Sequence, residues 1–312
     1  MTRVLVPTLL CLLWPVCLLA QEPLSPGVFA RVKSPGTTLR RNDQPAVQLP
    51  ANTWVRVARS AGEWTAGHAY VDGQKTLGWV RTAHLEPESL AQQQEIVAAW
   101  TARGATVEKD AAGAILSIDA TDSQVSDVQL AQIGAFPRLE ELYLSGSLVT
   151  EAALPRLGGL PQLRRLFLDG LPLTDKGIEP LGKLTDLEVL SLAGANITDA
   201  GTAPLSKLTN LKVLNLSHCA ITDAGMRHLA PLVAIETLAL RGSKVQGPGL
   251  AYLRSMKFLN VVNLSECPIQ GEHLRHLAGM EHLRILHLAD CHVDPEYIEE
   301  LENATTSLAV FE

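Results

Sequence analysis

Glu272, His273, His276 and His282 are the residues whose types and spacing come closest to a metal site. His273 and His276 stand three apart, which on a helix turns both imidazoles to one side, as zinc ligation requires. A structural cause competes with that chemistry. His228-Leu229 recurs as His276-Leu277, so His276 reads as part of a repeating pair, and neither metal nor cofactor is expected. Thiol chemistry is the next candidate. Cys267 and Cys291 are 24 residues apart; on adjacent strands they would lie about 5 Å from each other, within disulfide range. Parallel inward side chains rarely reach the required dihedral, so Cys219, Cys267 and Cys291 are expected to be buried free thiols. The chain contains no Gly-rich phosphate loop, His-Glu-x-x-His or Gly-x-Ser-x-Gly motif, and it reads as non-enzymatic. The sequons at Asn196, Asn215, Asn263 and Asn303 read as coincidence, the Asn-Leu-Ser of Asn215 and Asn263 falling out of the strand pattern itself.

The elements that must position these residues begin with an apolar leader. Met1-Thr2-Arg3 is followed by an uncharged run from Val4 to Leu19, ending at Ala20. A basic start, an apolar middle and a small residue at the cut describe a signal peptide, residues 1–20, removed after Ala20. The run is shorter than the roughly 20 residues a spanning helix needs, and Pro7 and Pro15 interrupt it. An uncleaved N-terminal anchor is the alternative, and no later stretch reads as a membrane span. The protein is therefore expected to be secreted or periplasmic. Charge is unevenly divided: residues 21–86 hold 8 Lys and Arg against 5 Asp and Glu, and residues 87–312 hold 17 against 28. Balances of +3 and −11 make nucleic acid a poor partner for the larger part.

That larger part has a strict period. Leu139, Leu163, Leu187, Leu211, Ile235, Leu259 and Leu283 each open a 24-residue segment, and another step back reaches Ile115. The segments open Leu-Glu-Glu-Leu-Tyr-Leu, Leu-Arg-Arg-Leu-Phe-Leu, Leu-Glu-Val-Leu-Ser-Leu, and so on through Leu-Arg-Ile-Leu-His-Leu. Alternation predicts a short strand with its leucines inward, and a second apolar set such as Ile197, Leu205 and Leu208 predicts a return segment. Between them recur Thr174-Asp175-Lys176-Gly177, Thr198-Asp199-Ala200-Gly201 and Thr222-Asp223-Ala224-Gly225. Their Thr and Asp are expected to accept hydrogen bonds at the N-cap of a short helix.

These segments resemble leucine-rich repeats, of a subclass with a Thr-Asp-x-Gly turn found in bacterial repeat proteins and in F-box-associated adaptors. The resemblance covers residues 112–312. It implies an α/β solenoid of about eight repeats, with a parallel concave sheet and short convex helices. The family's usual ninth-position asparagine is replaced by Ser147, Leu171, Ala195, Cys219, Ser243, Cys267 and Cys291, as in the cysteine-containing subclass, whose thiols line the turn behind the strand. Residues 87–111 read as an N-terminal cap, an amphipathic helix with Leu90, Ile96, Val97 and Trp100 and then a strand near Val107. Leu308 to Phe311 read as a closing strand.

Residues 27–86 alternate β-branched and aromatic residues between Gly-, Pro- and Asn-rich turns, the signature of a small all-β barrel. The segments Thr38-Leu39-Arg40-Arg41, Trp54-Val55-Arg56-Val57, Glu63-Trp64, Gly73-Gln74-Lys75, Gly78-Trp79-Val80 and Ala83-His84-Leu85 resemble the bacterial SH3-like domain. Trp54, Trp64 and Trp79 either line a groove on this barrel, for peptidoglycan, a peptide or a second protein, or serve as the large apolar groups that so small a barrel needs for its packing.

On the repeats, residues between the buried leucines must share one sheet face. The third places hold Glu141, Arg165, Val189 and Val213, and the fifth hold Tyr143, Phe167, Ser191, Asn215, Asn263 and His287. The seventh places add Asp169 and Arg241. Apolar and aromatic groups rimmed by charge mark a protein contact surface. The reading is an exported scaffold that binds a protein partner on the concave face. Alternatives are a wall-binding protein with the repeats as spacer and, more distantly, a substrate adaptor of the F-box kind.

Overall fold

The computed structural model describes Leu24 and residues 29–41, 44–51, 53–71, 74–87, 89–305 and 307–312. The apolar leader and its cut after Ala20 lie outside the described residues.

Seven strands come first: β1 (Phe29–Val32), β2 (Thr37–Arg41), β3 (Gln44–Leu49), β4 (Trp54–Ala61), β5 (Trp64–Val71), β6 (Gln74–Arg81) and β7 (Leu85–Pro87). They pair antiparallel in the order β3-β2-β6-β5-β4-β1-β7. One face buries Val32, Leu39, Leu49, Val55, Val57, Val80 and Leu85 in a core of its own. The closed barrel expected from the sequence is not formed among the described residues, where nothing pairs β3 with β7. Each of these outer strands carries a proline, Pro45 and Pro87, which has no N–H to donate to a further strand.

Helix α1 (Leu90–Thr101) follows, with the Ser89 hydroxyl accepting from Gln92 N. It buries Ile96, Val97 and Trp100 in the repeat core. Strand β8 (Thr106–Lys109) then pairs antiparallel with β9 (Ile115–Asp119).

From β9 onward every strand pairs parallel with the next: β10 (Glu141–Tyr143), β11 (Arg165–Phe167), β12 (Val189–Ser191), β13 (Val213–Asn215), β14 (Thr237–Ala239), β15 (Val261–Asn263), β16 (Ile285–His287) and the closing β17 (Ala309–Phe311). The register never slips. Glu141 lies opposite Arg165, Arg165 opposite Val189, and Ile285 opposite Ala309. The middle residues Ile118, Leu142, Leu166, Leu190, Leu214, Leu238, Val262 and Leu286 are all fully buried. A leucine there contributes about 2–3 kcal/mol over the same side chain left in water. It does so only because a neighbouring unit covers it, which is why the units stack.

The return segments are irregular. Four contain a short α-helix: α2 (Asp127–Leu130), α3 (Asp199–Leu205), α4 (Asp223–Leu229) and α5 (Pro295–Ala304). Others tighten into 3-10 turns at Glu151–Gly159, Glu179–Lys183, Pro248–Ser255 and Gly271–Leu277. Pro155, Pro180 and Pro248 fall in these stretches and remove donors that a longer α-helix would use.

The threonine of the Thr-Asp-x-Gly turn caps as expected: Thr198 and Thr222 accept from Ala200 N and Ala224 N. The aspartate behaves otherwise. Asp175 reaches the next unit, where Thr198 donates to it through its backbone N–H at 2.8 Å and its hydroxyl at 2.6 Å. Asp199 receives the same pair from Thr222, and Asp127 and Glu151 receive it from Thr150 and Thr174. The acid is therefore a clamp between units rather than a cap within one. It also explains the glycine. A Cβ at Gly177, Gly201 or Gly225 would stand 2.1, 2.4 and 2.4 Å from a carboxylate oxygen of Glu151, Asp175 and Asp199.

Cys219, Cys267 and Cys291 are free and buried. Their thiols donate to the carbonyls of Leu192, Leu240 and Leu264 in the preceding unit, at 3.3, 3.1 and 3.0 Å. Burial pushes the Cys219 and Cys291 thiols up to about 11 and raises that of Cys267.

Candidate protein-contact face

The parallel register puts the third- and fifth-place residues on the face of the sheet opposite the leucine core. Tyr143 and Phe167 are neighbours on β10 and β11, their rings stacked 4.6 Å apart and 4° from parallel. Arg165 lies over the Phe167 ring at 6.0 Å and 3.5 Å from Glu141. The Tyr143 hydroxyl donates to Glu141 at 2.8 Å. Burial first, and then that carboxylate, raise the Tyr143 phenol above its ordinary value.

Asp169, at the edge of this cluster, accepts from the Ser145 hydroxyl at 3.2 Å, from Ala193 N at 2.8 Å and from the Ser191 hydroxyl. That last bond corrects a sequence expectation. Ser191 is buried, only 4% exposed, because its hydroxyl turns to Asp169 between larger neighbours on β11 and β13. Asn215 and Asn263 are half-buried, each accepting from a backbone N–H two residues on, Ser217 and Ser265, so their carbonyl oxygens serve the strand ends. Arg241 is exposed and forks onto Glu266 at 3.0 and 2.5 Å. Val189 and Val213 are half-buried and continue the apolar strip from Phe167.

His287 stacks on Phe311 of the closing strand, with 5.1 Å between rings. Phe311, which is 50% exposed, was not singled out from the sequence, although it stands 24 residues beyond His287. The same step back from Tyr143 reaches Asp119. Both follow from extending the fifth-place column by one unit at each end.

The tryptophans divide. Trp54 is 6% exposed, edge-on to Phe29 at 6.5 Å, and donates from Nε1 to Gly134 O at 2.6 Å. It joins the N-terminal sheet to the repeats. Gln93 of α1 holds the same turn through Ala135 O. Beside this junction lies an open cleft of about 680 Å³ lined in part by Arg31, Trp54, Glu95, Gln132 and Arg156, which the sequence did not indicate. Trp64 and Trp79 are half-exposed on the outer face of β5 and β6, so the three do not share one groove.

The histidine cluster does not gather. His273 and His276 stack at 5.8 Å, whereas His282 lies against Phe258. Among the described residues, no group of three or more His, Cys, Asp and Glu is placed to hold a metal, and no helix is long and apolar enough to cross a membrane.

Residues 207–230 and 279–296 match the family model described as Leucine Rich repeat. Together with the ten-stranded sheet and its 24-residue register, these two matches support reading the repeating units as leucine-rich repeats. No curated protein matches the chain. Among solved structures, the chain is similar to the internalin C2 of Listeria monocytogenes strain 4b F2365. Identity there is 25% with a TM-score of 0.44, over 56% of this chain and 81% of that one.

Proposed function

We propose that the protein is a non-enzymatic scaffold, exported across a membrane, that holds a protein partner on the open face of its repeat sheet. The observation that carries the reading is the stacked pair Tyr143 and Phe167, flanked by Arg165, Glu141 and Asp169 and continued by Val189 and Val213. Aromatic and arginine anchors with an apolar centre and charged rim are the usual energetic core of a protein interface. Units stacked into a curved solenoid would make this face concave, and the residues on it can vary without disturbing the leucines behind. The N-terminal strands, read as an SH3-like domain, supply a second contact, to cell wall or to another protein.

A photo-crosslinking amino acid placed at Phe167 in the full chain, expressed in its own host, tests the reading. It should give a discrete adduct that is lost when the probe moves to exposed Lys176 on the return side. Equal adducts from both positions, or none from Phe167, overturn it. A second reading, wall binding with the repeats as a spacer, is favoured by the half-exposed Trp64 and Trp79. It predicts co-sedimentation of the full chain with purified sacculi whatever stands at Phe167.

A further inference from the structure

Strands β2, β4, β5 and β6 contain no Asp or Glu, yet they hold Arg40, Arg41, Arg56, Arg59, Lys75 and Arg81. Leu39, Val57, Thr65, Ala69 and Val80 point into the small core. The alternating residues therefore share the outer face. Pairing sets Arg40 beside Trp79, Trp79 beside Ala66 and Ala66 beside Arg59, one row across four strands. At about 4.8 Å per strand the row spans about 14 Å. Trp64 and Arg81 pair in the row formed by Trp64 and its neighbour on β6.

The cations are arranged, not scattered. Ala66 is small, and Arg59 spans it to lie 5.0 Å from the Trp79 ring. Arg40 and Arg81 lie 5.6 and 5.5 Å from the Trp64 ring. Stacking on an indole holds a guanidinium flat and leaves its edge donors free for oxyanions. None of Arg40, Arg59 and Arg81 has a carboxylate partner among the described residues, whereas Arg164, Arg165 and Arg241 on the repeats are each paired with a glutamate. His68, on the same outer face, is held below the ordinary imidazole range by burial and then by Lys75 and Arg56.

We propose that this face of the N-terminal sheet binds an acidic polysaccharide, with Arg40, Arg59 and Arg81, each held against an indole, taking its carboxylate or sulfate groups. Cations spread over about 14 Å fit a polymer bearing several anions better than one small ion. Guanidinium groups over the indoles deny nucleobases the stacking platform that single-stranded nucleic acid needs. Among the described residues of the face, Leu77 is the exposed large aliphatic side chain, too little apolar surface to enter a bilayer or to form the centre of a protein interface. The inference deepens the second-contact reading above and is independent of the repeat face.

The test uses the full chain on immobilised polygalacturonate and heparin, with neutral dextran, single-stranded oligothymidylate and phosphatidylglycerol vesicles as the other arms. Salt-sensitive retention by the acidic glycans alone is expected. Combined Arg40→Glu, Arg59→Glu and Arg81→Glu should weaken it roughly tenfold or more. Combined Arg→Lys at the same positions should give intermediate retention, since charge stays and stacking is lost. Equal retention on dextran, stronger binding of oligothymidylate or vesicles, or retention unmoved by charge reversal each overturns the proposal. Crosslinking from Phe167 should be unchanged in the charge-reversed chain, so failure here and failure of the repeat-face reading are separable.

Discussion

The N-terminal sheet and the repeat sheet solve the same problem of covering a strand's apolar face in opposite ways. The first closes a small core from seven antiparallel strands, each different, and its outer face is basic and aromatic. The second adds one near-identical parallel strand every 24 residues, so its core is continuous and aliphatic, while the residues on its open face change from unit to unit. The difference teaches where information sits. In the repeats the framework is redundant and a few exposed side chains are individual; in the N-terminal sheet nearly every position is both frame and surface.

The comparison breaks most visibly if a repeat leucine is removed. Leu214→Ala, at a fully buried centre of β13, should cost about 3–4 kcal/mol in denaturant unfolding followed by far-UV circular dichroism. The fluorine resonances of Trp64 and Trp79 in the fluorotryptophan-labelled chain, resolved from that of Trp100 in the repeat core, should report a smaller change, because the two cores are separate clusters. An equal change in both signals would mean that the regions fold as one.

Next in size is the clamp between units. Asp199→Ala leaves Thr222 N without its partner and should cost about 1–2 kcal/mol. Gly225→Ala should cost a similar amount, by driving a Cβ toward the same carboxylate. If the clamp is the reason for the glycine, the double variant should lose less than the sum of the two, a coupling that a double-mutant cycle measures.

The smallest effect concerns the thiols. With Cys219 and Cys291 near 11, almost no thiolate exists at pH 8, and labelling with a maleimide should be negligible in the native chain. Labelling should rise with denaturant along the unfolding curve of the repeats. Rapid native labelling would show that the ninth-position ladder is open.

The repeat fold was legible because the same physical demand recurs eight times, so a single misleading residue cannot hide the 24-residue register. The burial of Ser191 was not legible, since it depends on a carboxylate, Asp169, in the turn after the neighbouring strand. For the same reason the clamp role of Asp175 and Asp199 was hidden: their partners are in the following unit, while local capping rules look within one helix. In the N-terminal sheet the strands were legible but their order was not. The order sends Trp54 to the junction and leaves Trp64 and Trp79 on the outer face.

The most direct test of the working face is partner capture by two triple-alanine variants of the tagged full chain. Tyr143→Ala, Arg165→Ala and Phe167→Ala together should abolish recovery of the partner crosslinked from Phe167, with the unfolding midpoint little changed. Lys176→Ala, Arg227→Ala and Arg275→Ala, exposed on the return side, should leave recovery intact. Undiminished capture by the first variant, or loss only in the second, would contradict the account.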